Sequence, residues 1–288
     1  MLADYHIHTA LCQHAEGEAA AYHRRAAELQ MPELGFTDHA PNPDGYDPRH
    51  RMRLEEFPQY QAMIAAIART GQQQSVGLTS DGYRIAASAH DGPPVVLFGL
   101  EADYYEGCER FLRSWLPQQA FDLVLGSVHY LDSWGFDNPE QRSVWDSVDV
   151  TNTWRRYFQL IGALADSRLA DVVAHLDLPK KFGYRPSDRD LLEMAKPALD
   201  QVAAAGMAIE INTSGLRKPC AEIYPSLFLL SLAKERNIPI CFGSDAHSPA
   251  EVGWQFDAAK ALARSAGYTH AVHFRRRKAS SYPLPGLP

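Results

Sequence analysis

The chain has 288 residues, of which 45% are hydrophobic and 22% charged, with a formal net charge of −7. That length is ample for one large hydrophobic core, so we expect a single domain over residues 1–288. The negative charge argues against a nucleic-acid or membrane-surface partner, and no apolar run reaches the roughly 18 residues that span a bilayer. The one basic run, at 275–278, is interpreted as a solvated helix end or surface rather than a nucleic-acid patch.

The four cysteines give no Cys-x-x-Cys pair. This pattern argues against a disulfide framework and against a thiolate zinc site, and it fits a reducing cytoplasm. No apolar segment precedes His6, so we expect no secretory signal peptide.

Strand-like and helix-like stretches alternate along the chain. We predict strands at 2–8, 33–39, 95–101, 121–129, 171–176, 207–212 and 238–244. We predict helices at 18–30, 54–69, 109–116, 151–167, 188–205, 224–236 and 249–265. The near-continuous apolar runs at 95–100 and 121–126 are typical of parallel strands buried on both faces. Seven β-then-α units in series favour a closed α/β barrel over an open sheet.

Two segments interrupt this alternation. Residues 41–53 form a long charged loop directly after the second predicted strand, and we interpret them as a candidate lid over a site. Residues 71–94 are polar and weakly patterned, and a structureless stretch of that length is unusual inside a compact domain. We interpret them as a peripheral insertion that could carry a hairpin of its own.

Histidines and carboxylates gather at or just after the ends of the predicted strands. They are His6, His8, His14, His39, Glu101, His129, His175, Asp245 and His247. Each motif alone also has a structural interpretation, such as a turn, a helix cap or a buried core histidine. In a parallel barrel, however, the carboxyl ends of all strands converge on one mouth, so the joint pattern predicts a metal cluster. Nine ligands are too many for one ion and about right for three. Imidazole and carboxylate ligands without thiolate suit zinc, manganese or iron.

The motifs that carry these residues resemble the PHP (polymerase and histidinol phosphatase) superfamily. They are His-Ile-His-Thr at 6–9, Phe-Thr-Asp-His-Ala at 36–40, Gly-Leu-Glu at 99–101, Gly-Ser-Val-His at 126–129, Ala-His at 174–175 and Gly-Ser-Asp-Ala-His at 243–247. The longer stretches at 99–104, 126–130 and 211–218 resemble its monofunctional histidinol-phosphate phosphatase branch. The resemblance covers residues 4–249.

The resemblance implies a distorted (β/α)7 TIM-like barrel with three divalent or trivalent metal ions, Zn, Mn or Fe, at the carboxyl ends of the strands. One ion would be bound by His6, His8, Glu101 and Asp245. A second would be bound by Glu101, His129 and His175. A third would be bound by His14, His39 and His247.

The resemblance also implies an enzyme, a phosphomonoesterase that hydrolyses L-histidinol phosphate to L-histidinol and phosphate in histidine biosynthesis. The nucleophile would be a metal-bridging hydroxide held by Glu101, His129, His175 and Asp245. One alternative is another phosphoesterase of the same superfamily, which acts on nucleotides, sugar phosphates or nucleic-acid ends. A second alternative is a non-catalytic barrel whose cluster is structural.

The substrate is expected to be a small-molecule phosphate ester, and its phosphate calls for a fixed cation. Arg217 follows the sixth predicted strand, and a guanidinium can bind phosphate through two donors. Lys180 and Lys181 are further candidates. The loop at 41–53 carries three more basic residues that either face the site or lie exposed, His50, Arg51 and Arg53. The proton donor to the leaving group is either Asp38 or a metal-bound water, and the sequence does not indicate the oligomeric state.

Overall fold

The computed structural model describes residues 2–42, 47–74 and 92–286. Seven parallel strands form its central sheet, and their order in the sheet follows their order in the chain. They are β1 (Asp4–Ile7), β2 (Glu33–Phe36), β3 (Val95–Asp103), β4 (Leu123–Ser127), β7 (Val172–Val173), β8 (Ala208–Asn212) and β9 (Ile240–Gly243). The remaining four strands form two antiparallel hairpins outside this sheet. They are β5 (Tyr130–Leu131) with β6 (Trp134–Gly135) and β10 (His270–Arg275) with β11 (Lys278–Pro283).

The first and last strands of the sheet meet at their carboxyl ends. Ile7 and Ala246 form a parallel bridge, and the backbone N–H of His8 donates to the carbonyl of Ala246 at 3.0 Å. Side-chain contacts join the same two strands. Asp4, the first residue of β1, accepts hydrogen bonds from the backbone N–H of Ser244 at 2.9 Å and from its hydroxyl at 2.6 Å, and Ser244 directly follows β9. The sheet therefore curls into a nearly closed barrel, which confirms the predicted distorted (β/α)7 architecture.

Helices follow the barrel strands at the places that the sequence predicts. They are α1 (Ala19–Glu28), α2 (Phe57–Gln74), α3 (Glu109–Trp115), α4 (Val150–Ser167), α5 (Asp188–Ala205), α6 (Leu227–Glu235) and α7 (Phe256–Ser265). Side-chain caps define several starts, as where Ser187 accepts from the N–H of Asp190. The predicted helix at 249–265 begins only at Phe256, because Pro249–Glu251 forms a separate 3₁₀ turn. Within the described ranges, no helix has both the length and the apolar character needed to cross a membrane.

The β10–β11 hairpin covers the amino-terminal end of the barrel. Val272 and Phe274 pack with a small cluster of inward-facing residues near the starts of the strands, including Tyr5 and Leu97. The interpretation of residues 275–278 as a helix end is wrong. Arg276 and Arg277 form the two-residue turn of this hairpin, with φ of 49° and 63°, the conformation that such tight turns require.

The hairpin is fastened by charged contacts. Arg275 Nη2 lies 2.6 Å from Glu33 Oε1, and Arg277 Nε lies 3.0 Å from Asp171 Oδ2. Glu33 also accepts a hydrogen bond from the hydroxyl of Tyr5 inside the barrel. The basic run thus attaches the hairpin to the amino-terminal end of the barrel, which is opposite the carboxyl strand ends that carry the predicted ligands.

The two predicted irregular segments are described only in part. Residues 43–46 of the candidate lid lie outside the described residues, whereas 47–53 pack against the mouth of the barrel. Residues 71–74 belong to α2 rather than to an insertion, and 75–91 lie outside the described residues. The hairpin expected within 71–94 therefore stays a prediction.

Candidate metal centre

The structure brings all nine predicted ligands to the carboxyl-terminal mouth of the barrel. Five groups of described residues have ligand atoms within 4.8 Å of one another, and two of them include a residue outside the prediction, Cys12 with His8 and His247 and Asp103 with His39 and His129. The three groups made only of predicted ligands are His6 with His8 and Glu101, Glu101 with His129 and His175, and His14 with His39 and His247. Asp245 Oδ1 lies 3.3 Å from His8 Nε2 and 3.9 Å from His6 Nε2, beside the first group. These three groups have the same members as the three sets that the family resemblance implies.

Glu101 is the residue that the first two groups share. It lies near the end of β3, its side chain is 1% exposed, and its Oε1 is 3.1 Å from His175 Nε2. Its Oε2 is 2.9 Å from His39 Nδ1 and 3.4 Å from His6 Nε2. Burial raises the pKa of this carboxyl, but the imidazoles of His39, His6 and His129 outweigh burial and hold the pKa well below its usual value. Glu101 is therefore an anionic bridge among imidazoles.

The buried polar atoms of the cluster test whether these residues suit a metal ion. His6 Nε2, His8 Nε2 and Glu101 Oε2 are buried and form no hydrogen bond of normal geometry with the described residues, although Glu101 Oε2 lies close to the His39 ring. Buried polar atoms are nearly always paired, so several orphaned atoms together need an explanation. Bound cations provide one, because imidazole nitrogens and carboxylate oxygens would become ligands. Cys12 lies close to His8 and His247, so one thiol also borders the cluster.

Carboxylates behind the histidines orient the rings. Glu210 Oε1 lies 2.7 Å from His6 Nδ1, and Glu210 Oε2 accepts from the backbone N–H of His175 at 3.0 Å. Asp103 Oδ1 makes the equivalent hydrogen bond with His129 Nδ1. A carboxylate at Nδ1 fixes the tautomer of a ligand histidine and leaves Nε2 free for the metal. The sequence analysis missed both carboxylates, although each is a charged residue inside a buried strand.

Asp38, a candidate proton donor, accepts hydrogen bonds from the backbone and does not line the cavity. It is fully buried, and its oxygens accept from the backbone N–H groups of Thr9 at 3.1 Å and His39 at 2.8 Å. It is not among the residues that line the cavity above the cluster. Asp38 therefore supports the loops that carry His8 and His39 and does not face a substrate.

A cavity of about 370 Å³ opens over the cluster, and a cationic wall forms one side of it. Arg217 Nη2 donates to the carbonyls of Ser244 at 3.0 Å and Asp245 at 3.1 Å, and its Nε lies 3.0 Å from Glu251 Oε1. Its Nη1 is buried and has no hydrogen-bond partner in the described part of the chain. A fixed guanidinium with an unused donor suits an anionic ligand in this cavity.

Three lysines lie near this wall, and only two of them line the cavity. Lys181 lines it, with Nζ 3.0 Å from Asp137 Oδ2. Lys218 also lines it, and the sequence analysis missed it although it directly follows Arg217. Desolvation, with a contribution from Lys181, lowers the pKa of Lys218.

Lys180, by contrast, does not reach the cavity. Its amine is buried and donates to Asp177 Oδ2 at 2.8 Å and to the carbonyl of Ile223 at 2.7 Å. The structure therefore separates Lys180 from the other two predicted cations and gives it a role in joining two loops.

The basic residues of segment 47–53 take three different environments. Arg51 is 3% exposed and pairs with Asp103. His50 lines the cavity, with Nδ1 2.7 Å from Asp47 Oδ1. Arg53 is exposed on the surface and pairs with Glu56. Of these three residues only Arg53 meets the expectation of an exposed loop, and Arg49, which the sequence analysis did not single out, is exposed as well and lies 3.1 Å from Glu140 Oε2.

A histidine–carboxylate cluster at the carboxyl ends of barrel strands is typical of a metal-binding α/β barrel, and the cation-lined cavity above it suits an anionic ligand. Comparison with known families agrees with this class. The PHP domain model matches residues 4–214, and a PHP-associated model matches residues 230–254. The chain belongs to the PHP domain family.

Relatives with curated names lie in one branch of this family. A Deinococcus radiodurans protein named "Probable histidinol-phosphatase" is 43% identical over 278 residues, which cover 96% of this chain and 98% of the relative. The Bacillus subtilis "Histidinol-phosphatase" is 29% identical over 88% of this chain and 97% of the relative. A solved structure of a Lactococcus lactis histidinol phosphate phosphatase in complex with Zn, L-histidinol and phosphate has a TM-score of 0.76 at 18% identity, covering 97% of this chain and 98% of that one.

Proposed function

We propose that this chain is a metal-dependent histidinol-phosphatase, which hydrolyses L-histidinol phosphate to L-histidinol and phosphate in histidine biosynthesis. The proposal rests on one observation, that the histidine–carboxylate cluster and the cationic wall line the same cavity. The 43% identity to a named histidinol-phosphatase, over nearly the whole of both chains, supports the choice of substrate. We place the reaction in the cytoplasm, which four cysteines without a disulfide support.

The proposed centre holds three ions, of zinc, manganese or iron. The first is bound by His6, His8, Glu101 and Asp245, the second by Glu101, His129 and His175, and the third by His14, His39 and His247. Bound at these residues, the ions supply Lewis-acid charge and lower the pKa of water, so that a nucleophile exists at neutral pH. The buried, partnerless atoms of His6, His8 and Glu101 support this assignment.

The cationic wall positions the phosphoryl group against the cluster. Arg217 is held in place by Glu251 and by two carbonyls, and its Nη1 has no hydrogen-bond partner among the described residues, which leaves this donor for a phosphate oxygen. Lys181 and Lys218 add positive charge to the same cavity, where a dianionic ester must leave water. Because Glu251 also accepts from the backbone N–H of His247 at 2.8 Å, the phosphate wall and the cluster share one support.

The size of the cavity suits a small ester. Among the described residues it has a volume of about 370 Å³, at the lower end of small-molecule pockets. Leu178, Pro139 and Tyr224 provide apolar surface beside the cations. A compact organic group attached to a phosphate fits this combination.

The test is a comparison of kcat/KM for L-histidinol phosphate, AMP and a sugar phosphate with the purified, metal-loaded chain. We expect L-histidinol phosphate to be preferred by at least about 100-fold, the range that a few polar contacts in a pocket provide. Equal activity on all three esters, or a preference for AMP or the sugar phosphate, would assign the chain to a different activity within the PHP family.

A further inference from the structure

Arg51 is buried next to the proposed metal centre although it belongs to none of the ligand sets. Its side chain is 3% exposed, and its Nε donates to Asp103 Oδ2. Its Nη1 donates to the carbonyl of His50 at 2.9 Å and lies 3.3 Å from Asp47 Oδ2. A buried guanidinium is costly unless its donors are used, and here they are used within the site itself.

Asp103 joins this arginine to a proposed ligand. The residue ends β3, two positions after Glu101, so both carboxylates point to the same side of the strand. One oxygen of Asp103 accepts from Arg51, and the other pairs with His129 Nδ1. Asp103 therefore links Arg51 to His129, and its carboxylate also lies within 4.8 Å of ligand atoms of His39 and His129. The opposite nitrogen, His129 Nε2, faces Glu101 Oε1 at 3.6 Å.

The same arginine anchors one wall of the cavity. Segment 47–53 carries Asp47 and His50 into the cavity lining. Besides the Arg51–Asp103 pair, Gln13 Nε2 donates to the carbonyls of Pro48 at 2.9 Å and Arg51 at 2.8 Å. Gln13 directly precedes His14, so the segment is attached to the cluster on both the His129 side and the His14 side.

From this arrangement we infer that Arg51 is a positioning residue, which acts through Asp103 to hold His129 in its metal-binding orientation and thereby couples segment 47–53 to metal binding. The coupling is reciprocal by thermodynamic necessity. A metal ion at Glu101, His129 and His175 favours the position of Asp103 that holds Arg51, and the docked segment in turn favours metal binding. The inference rests on the proposed metal centre and not on the identity of the substrate.

The experiment measures zinc binding and segment protection in the absence of any substrate. Arg51→Met removes the contacts of the guanidinium with Asp103, Asp47 and the carbonyl of His50. Asp103→Asn keeps the volume of the carboxylate but weakens its hold on Arg51 and His129. Arg53→Met is the matched control, because Arg53 lies two residues away in the same segment and its side chain is 65% exposed. Zinc affinity is measured by competition with a chelator of known affinity, and backbone protection of 47–53 by hydrogen exchange with and without zinc.

We expect one zinc-binding step to weaken about 10- to 100-fold in Arg51→Met and in Asp103→Asn, the usual effect of losing a residue that supports a ligand. The other steps and the Arg53→Met protein should match the unaltered chain. Zinc should increase the protection of 47–53 in the unaltered chain and have less effect in Arg51→Met. If Arg51→Met does not fold, Asp103→Asn decides the zinc measurement. Unaltered zinc affinity in a folded Arg51→Met protein, or in Asp103→Asn where Arg51→Met does not fold, would overturn the inference. So would a zinc-dependent protection of 47–53 that persists unchanged without Arg51.

The outcome is separable from that of the proposed function. A chain that shows this coupling yet hydrolyses some other phosphate ester would retain the role of Arg51 and lose only the assignment of the substrate.

Discussion

Replacement of Arg217 by alanine tests how the cavity holds its phosphate. The guanidinium has one buried donor group, Nη1, that none of the described residues accepts from, while its other nitrogens contact Glu251 and two carbonyls. We therefore assign one charge-assisted hydrogen bond to the phosphoryl group. Such a bond contributes about 1.5–3 kcal/mol, which corresponds to a loss of about 10- to 150-fold in kcat/KM.

The assay is steady-state hydrolysis of L-histidinol phosphate at saturating metal, with bound metal measured on the same samples. We expect most of the loss in KM, because Arg217 contacts phosphate oxygens that are present before and during the reaction. Arg189→Ala is the control, since this arginine is exposed on α5 and contacts only Glu193 among the described residues. Arg217→Ala with an unaltered KM and kcat/KM would remove Arg217 from the substrate site. A loss that extra metal fully restores would instead make Arg217 a support of the Asp245 loop.

Substitutions at three other residues give independent tests. Glu101→Gln should weaken two ligand groups at once, so bound metal should fall by more than one ion per chain; unaltered metal stoichiometry would contradict a shared ligand. Lys218→Met should lower kcat/KM by about tenfold and Lys218→Arg by less, because the cavity needs the charge; equal rates in all three proteins would refute this. Burial raises the pKa of Glu33, but hydrogen bonds from His273 and Arg275 hold it at about 2, so its stabilisation is complete above pH 4.5 and disappears as the pH falls towards 2. Glu33→Gln should lower the free energy of unfolding at pH 7 by at most about 3 kcal/mol, and urea titrations that show the same acid sensitivity in both proteins would contradict it.

The ligand residues could be predicted because barrel geometry converts sequence position into spatial position. His6 and His8 lie two residues apart at the end of β1, and Glu101 lies near the end of β3, so all three had to face the same mouth. The apolar strand cores made the strand positions clear. For the seven barrel strands only the boundaries differed, as for β7, which forms ladder pairs at Val172 and Val173 alone, whereas the β5–β6 and β10–β11 hairpins were not predicted.

The supporting residues could not be predicted, because they depend on contacts between distant parts of the chain. Asp103 and Arg51 are 52 positions apart, and Glu210 is 204 positions from His6. A lone charged residue in a strand does not identify its partner. Glu210 nevertheless lies in the buried strand β8, and a carboxylate in such a place calls for a partner.

Two neighbouring lysines show that a shift of one position in the sequence separates a structural role from a place in the cavity. Lys180 and Lys181 are neighbours in the 3₁₀ helix Leu178–Phe182, and their side chains leave it in different directions. Lys180 turns inward to Asp177, whereas Lys181 reaches the cavity. The β10–β11 turn was also missed. The charges at 275–278 do not reveal that two adjacent arginines adopt positive φ and form a hairpin turn.

The most direct test of metal-dependent histidinol phosphate hydrolysis is phosphate release from L-histidinol phosphate by one preparation in three states. These are the protein as purified, the protein after removal of metal by a chelator, and the stripped protein after return of zinc, manganese or iron. The account predicts loss of phosphate release on chelation and its recovery with at least one of the three metals, in proportion to the metal bound. Undiminished release from fully metal-free protein would contradict it, as would a metal-loaded protein that releases no phosphate from this ester.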